Sequence, residues 1–215
     1  MELNKKVLTK ESFETLESIM LNPNFNNFYL AGGTALALQL GHRKSIDLDF
    51  FSQKEFNTGL TNDLKTKNIT DYKVVSLSDN SIELIINNTK IFFFYFAFPL
   101  FKKLKTISNI RLADPMNIGL MKLLALQGRS SRKDIIDLYL IDQQVIPLEK
   151  LLNIFEEHFP KESFNSYSSL KGLIDEKFLE SEPMPMMLQQ IDWQTALSRV
   201  EEKVVKHIQG IIKKE

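Results

Sequence analysis

With 215 residues, 43% of them apolar and 25% charged, the chain has a globular make-up and the length for one large domain or two small ones. Its 27 Lys and Arg cancel its 27 Asp and Glu, which excludes a global field for holding nucleic acid without specificity. Zero cysteines exclude disulfides, thiolate catalysis and Cys-ligated zinc.

The polar start, Met1-Glu2-Leu3-Asn4-Lys5-Lys6, lacks a following apolar core of the signal-peptide kind. The longest apolar run, Ile91 to Phe101, is about half of what a membrane-spanning helix needs. The expectation is a cytoplasmic protein without a membrane partner. Residues 9–21 predict a helix with Phe13, Leu16, Ile19 and Met20 on one side, ended by Pro23 and the asparagines around it. Phe28 to Ala31 predicts a short strand that delivers the chain to Gly32-Gly33, and Thr34 to Leu40 a helix closed by Gly41. Ser45 to Phe51 predicts a strand, and residues 54–68 a surface helix. Three strands follow, Tyr72–Leu77, Ile82–Ile86 and Lys90–Phe98, parted by Ser78-Asp79-Asn80 and Asn87-Asn88 in the manner of antiparallel hairpins. From Pro115 the pattern is helical: Met116 to near Gly128, Arg132 to near Gln143, Leu148–Phe159, Ser166–Leu179, and Asp192 to near Lys213. The predicted class is α+β, a mixed β-sheet with flanking helices over residues 1–113, followed by a C-terminal helical region over 114–215.

Two stretches carry chemistry. In the first, Gly32 to Phe51, strand alternation sends Asp47 and Asp49 to one face and Ile46, Leu48 and Phe50 to the other, into a core. Adjacent carboxylates repel unless a cation sits between them, and hard oxygen ligands suit Mg²⁺ or Mn²⁺. The Gly32-Gly33-Thr34 turn opens a helix whose free N–H groups can hold an anion, with Thr34 capping the helix or bonding a phosphate. Ser45 shares the aspartates' face, and Arg43 and Lys44 stand at the strand entrance, where a polyphosphate tail needs positive charge. The competing readings are a solvated acid pair on an edge strand and ordinary surface charges at Arg43 and Lys44.

The second stretch runs from Met121 to Tyr139. Lys122 and Arg129, seven residues apart, share a helix face, and Asp134 and Asp137 lie one turn apart on the next helix. A salt-bridge network joining two helices would use the same residues. Lys122 stands in a strongly apolar run, where a cation requires a specific anionic partner.

Together these stretches resemble the nucleotidyltransferase-like toxins of the AbiEii/AbiGii type, within the polymerase-β-like nucleotidyltransferase superfamily. The matching motifs are the glycine turn, helix and Arg43-x-Ser45-x-Asp47-x-Asp49-Phe50-Phe51 block, and Met121-Lys122 through Arg129 to Lys133-Asp134 and Asp137-Leu138-Tyr139. The resemblance covers roughly residues 28–142. It implies a nucleotidyltransferase-like sheet and a helical domain that completes the site. It implies catalytic roles for Asp47, Asp49 and Lys122, with Mg²⁺ or Mn²⁺ on the two aspartates and Lys122 against the triphosphate or the acceptor. Gly32, Gly33, Thr34, Arg43, Ser45, Arg129, Lys133 and Asp134 would contact the nucleotide.

The implied reaction is transfer of a nucleoside monophosphate from a nucleoside triphosphate to an RNA or protein acceptor, in a toxin–antitoxin or abortive-infection setting. The implied partners are that triphosphate, a tRNA or protein acceptor and a cognate antitoxin. Arg129, Arg132 and Lys133 form a local patch for a tRNA acceptor end. One departure stands out. The superfamily commonly carries a third carboxylate on a neighbouring strand, and the aligned strand here, Lys90-Ile91-Phe92-Phe93-Phe94-Tyr95, has no acid. Glu83 is the substitute the sequence offers. Alternation puts Phe92 and Phe94 on one face and Ile91 and Phe93 on the other, without saying which face meets the aspartates. The alternative function is a catalytically weak or inactive module that binds nucleotide or a partner.

Overall fold

Thr9 starts the first helix: its hydroxyl accepts from the Ser12 N–H at 3.1 Å, and α1 then runs Lys10–Leu21. The computed structural model describes residues 2–65, 69, 71–125, 131–159, 179 and 182–213. Two units make up the chain, Met1–Asp114 and Pro115–Glu215.

In the first unit, α1 buries the predicted face, Phe13, Leu16, Ile19 and Met20. Strand β1 (Phe28–Ala31) is buried throughout, and helix α2 (Gly32–Leu40) ends at Gly41 in the left-handed conformation, φ 66°. The remaining strands are β2 (Asp47–Ser52), β3 (Lys73–Ser78), β4 (Ser81–Ile86), β5 (Thr89–Tyr95), β6 (Lys105–Ile107) and β7 (Ile110–Leu112). They form one seven-stranded sheet in the order β3-β4-β5-β2-β1-β7-β6. The pairings β2–β5 and β1–β7 are parallel, and the others are antiparallel.

β2 is therefore an inner strand, flanked by β1 and β5. Its Leu48 and Phe50 are fully buried beside Ile91 and Phe93 of β5. Phe93 anchors this face, with the rings of Phe25, Phe28 and Phe50 at 5.4, 5.1 and 5.1 Å. Arg111 closes the same region. Its guanidinium donates to the carbonyls of Phe28 (2.9 Å), Met20 (3.2 Å) and Phe25 (2.9 Å), so one side chain joins the end of α1 to β1.

Four expectations need correction. Ile46 was expected in the core, but the strand begins at Asp47 and Ile46 is 65% exposed. In place of a surface helix over 54–68, the described part holds a 3₁₀ turn, Thr58–Asp63, because Thr58, Gly59, Thr61 and Asn62 are poor helix formers. β5 stops at Tyr95, and the Phe96 N–H makes a last bond to β2 at the Ser52 carbonyl, 2.8 Å. The hairpin β6–β7 was not expected. Its turn, Ser108-Asn109, has both residues at positive φ (50° and 66°), the geometry that suits a two-residue hairpin.

The second unit carries the helices α3 (Pro115–Ala125), α4 (Arg132–Gln144), α5 (Leu148–His158) and α6 (Trp193–Ile212), with a non-helical stretch over 182–192. Ser131 caps α4 and Asp192 caps α6. The predicted helix Ser166–Leu179, apart from Leu179 itself, lies outside the described residues, as does the predicted end of α3 beyond Ala125. Among the described residues, no helix is long and apolar enough to cross a membrane.

Candidate active site

The first site grows from the junction of β1 and α2. Ala31, the last residue of β1, is the register partner of Asp49 on β2. The next residue, Gly32, turns the chain at φ 64° into α2. A Cβ placed on Gly32 would lie 2.3 Å from Asp49 Oδ2, so the carboxylate rests against the start of the helix. That position favours negative charge, because the first N–H groups of a helix lack intrahelical acceptors. Gly33 follows in the same first turn. Along β2, Asp47 and Asp49 alternate as half-buried residues with the buried Leu48 and Phe50, so both carboxylates share one face of the sheet.

Thr34 ties α2 to the beginning of β2. It is 1% exposed, and its hydroxyl donates to the Asp47 carbonyl and lies 2.6 Å from the Ser45 hydroxyl. A hydroxyl carries one proton, so Thr34 donates to one of these two acceptors at a time. Both hydroxyls thus serve the joint between helix and strand. The basic corner is held in a similar way. Arg43 is 2% exposed, with Nη1 donating to the Lys44 carbonyl at 3.1 Å, and Lys44 donates to the Lys6 carbonyl. The Ser45 N–H reaches the Val7 carbonyl at 2.9 Å, and the Asn4 N–H the Leu38 carbonyl at 2.8 Å. The N-terminal segment thereby straps the corner, which explains why Arg43 is buried rather than displayed.

The register of β5 settles which of its faces meets the aspartates. Asp47 pairs with Lys90 and Asp49 with Phe92, while Glu83 of β4 pairs with Phe92 on the far side. Lys90, Phe92 and Phe94 therefore share the aspartates' face. Adjacent strands lie about 4.8 Å apart, which places the Glu83 backbone roughly 9.6 Å from that of Asp49, with Phe92 between them. Phe92 and Phe94 stack at 5.7 Å with ring planes 8° apart, and the row continues through Phe51 to Tyr29. Lys90 is the residue that sequence reasoning missed. Alternation was visible, but the register that brings it beside Asp47 was not.

In the second unit, Lys122 on α3 is 9% exposed along its side chain. Its Nζ lies 2.7 Å from Asp134 Oδ1 and 2.8 Å from Asp137 Oδ2, both on α4. Asp134 also accepts from the Ser131 hydroxyl at 2.8 Å. Burial alone would raise the Asp134 pKa, but the Lys122 charge and hydrogen bond, helped by Ser131, hold it below the ordinary carboxylate range. The apolar setting of Lys122 thus receives two carboxylates from within the protein. Lys133 is exposed on α4. Arg129, the other expected contact, lies outside the described residues.

Among the described residues, no group of three or more His, Cys, Asp or Glu is placed to hold a metal ion. Two carboxylates are still a sufficient donor set for Mg²⁺, which usually takes one or two carboxylates and completes its octahedron with water and substrate phosphate. Asp47 and Asp49 fit that pattern.

Residues 14–90 match the family described as "Nucleotidyl transferase AbiEii toxin, Type IV TA system". An uncharacterized protein of Aquifex aeolicus is 32% identical over 138 residues, which span 62% of this chain and 66% of the relative's length. Among solved structures, a proposed nucleotidyltransferase from H. pylori is similar at a TM-score of 0.58 and 20% identity, over 96% of this chain and 99% of that one. MenT4, a nucleotidyltransferase toxin from Mycobacterium tuberculosis, is similar at a TM-score of 0.52 and 14% identity, over 93% and 86% of the two chains. The chain has a nucleotidyltransferase fold, and its residues 14–90 match the AbiEii nucleotidyltransferase toxin family.

Proposed function

We propose that the protein is a metal-dependent nucleotidyltransferase that moves a nucleoside monophosphate from a nucleoside triphosphate to an RNA or protein acceptor, as the toxin of a toxin–antitoxin pair. The observation that carries this reading is the placement of Asp47 and Asp49 on one face of an inner strand, with Asp49 against the first residue of α2. It falls within the residues matched to the family.

Asp47 and Asp49 would hold Mg²⁺ or Mn²⁺. Bound there, the ion would polarise the phosphoryl oxygens and offset charge building on the leaving pyrophosphate. The chain's own part is positioning. The Thr34–Ser45–Asp47 contacts fix the start of α2 against β2, and the N–H groups at Gly32 and Gly33 offer donors to phosphate oxygens. The sheet holds both carboxylates in register, so they need not reorganise when the nucleotide arrives. A second reading, a module that binds nucleotide without transferring it, is favoured by one observation: Phe92 and Lys90, not an acid, stand beside the aspartates on β5.

One experiment separates the two. Wild type and the Asp47→Asn/Asp49→Asn variant are incubated with each labelled triphosphate, an RNA pool and Mg²⁺ or Mn²⁺, and nucleotide binding is measured in parallel. Label transfer that requires the aspartates supports the transferase. Aspartate-dependent binding without transfer supports the binding module, and equal behaviour of the two proteins overturns the site.

A further inference from the structure

Lys90 is the register partner of Asp47, one pair along from Asp49 and Phe92, on the same face of the sheet. It is exposed, and among the described residues no ion pair joins it to either aspartate. Opposite charges set across neighbouring strands can attract one another, yet this ammonium is not consumed by its neighbour.

We propose that Lys90 is a polyphosphate-binding residue of this site, a fixed cation on β5 in the same row as Asp47. The inference rests on the nucleotidyltransferase reading above. Asp47 and Asp49 together are neutralised by one divalent cation, which leaves the charge of a bound triphosphate without a counter-charge from β2. A third carboxylate would bring in a second cation to meet that need. Here Phe92 removes oxygen ligands from the row beside Asp49. Glu83 stands two strands from Asp49, with Phe92 in the row between them. Lys90 supplies positive charge in the same row as Asp47 without a metal. The site accordingly takes one protein-held cation, and the lysine stands in for the second.

The test is equilibrium binding by calorimetry to the full chain, with a nucleoside triphosphate and Mg²⁺, with the nucleoside alone, and with Mg²⁺ at varied concentration. The proteins are wild type, Lys90→Met, Lys90→Arg and the Asp47→Asn/Asp49→Asn control. Because Lys90 is exposed, a melting curve should show each Lys90 variant folded. Loss of one charge-assisted hydrogen bond predicts roughly ten- to a hundredfold weaker triphosphate binding for Lys90→Met. The expected pattern also has triphosphate binding largely kept in Lys90→Arg, no change toward the nucleoside, and one Mg²⁺ per chain with the triphosphate bound. Unchanged triphosphate binding in Lys90→Met, while the aspartate variant loses it, overturns the role of Lys90 and leaves the transferase reading standing. Two Mg²⁺ per chain overturns the substitution of lysine for metal. Wild type that binds no triphosphate overturns both the inference and the reading beneath it.

Discussion

Gly32 and Asp49 meet so closely that a methyl group on Gly32 would stand 2.3 Å from the carboxylate Oδ2 and 3.1 Å from its Cγ. The glycine is required twice over, because its φ of 64° is also a conformation that costs an L-residue about 1–2 kcal/mol. The turn thus sets where the carboxylate can stand relative to the start of α2.

Gly32→Ala is therefore expected to lower stability and displace Asp49, with loss of Mg²⁺-dependent nucleotide binding. Gly210 provides the contrast, since a Cβ there meets nothing within 4 Å on the exposed side of α6. Gly210→Ala should raise stability by about 0.5–1 kcal/mol through helix propensity alone. Urea titrations of both variants decide the matter, and opposite signs are the expected outcome.

Lys122 holds two carboxylates, the half-buried Asp134 and Asp137, whose side chain has no exposure at all. Lys122→Met would leave both without their shared cation, and breaking a buried pair from one side costs about 3–5 kcal/mol. The combined change Lys122→Met/Asp134→Asn/Asp137→Asn removes the charges together and should recover a large part of that loss. Chemical denaturation of the two variants reads this directly. A Lys122→Met protein with the wild-type midpoint would show that the ion triad does not stabilise the helices.

A second charged cluster links α4, α5 and α6. Asp142, 2% exposed along its side chain, accepts from the Leu148 N–H at 2.7 Å, Arg199 Nε at 3.0 Å and Lys203 Nζ at 2.6 Å. Burial alone would raise its pKa, but these donors hold it below its ordinary 3.8. For Lys203, burial alone would lower the pKa, and the bonds to Asp142 and Glu149 carry it above 10.5. A depressed carboxylate contributes stability that is intact above its unfolded pKa and lost as pH falls through the folded one. A raised lysine contributes stability that is intact below its unfolded pKa and lost as pH rises through the folded one. Stability should hold across neutral pH, fall on the acid side below about pH 4 and fall again above about pH 10.5. Asp142→Asn should be less stable at neutral pH and show a shallower acid decline in urea midpoints measured across that range.

The features legible in the sequence were the local ones. The apolar face of α1, the strand–glycine–helix run from Phe28 to Leu40 and the alternation around Asp47 and Asp49 repeat at spacings of two to four residues, so a short window contains the whole signal. The turn Asn87-Asn88 was legible for the same reason: both residues adopt positive φ, which asparagine tolerates. The β6–β7 hairpin went unread because strands of three residues are too short to show a period.

Tertiary structure decided the rest. Ile46 was assigned to the core by extending the alternation one residue too far, and only the observed start of β2 at Asp47 corrects it. Arg43 reads as a cation for a polyphosphate tail or as an ordinary surface charge, and only the segment Asn4–Val7, folded back over the corner, shows it buried. Lys122 announced its need for an anion, but not that α4 would bring two. Which side chains of β5 face the aspartates was beyond any local reading. The partners Asp49 and Phe92 are far apart in the chain, and strand alternation is indifferent to a shift of two residues. Only packing of the buried face, where Phe93 meets Phe25, Phe28 and Phe50, selects the register that puts Lys90 and Phe92 beside the carboxylates.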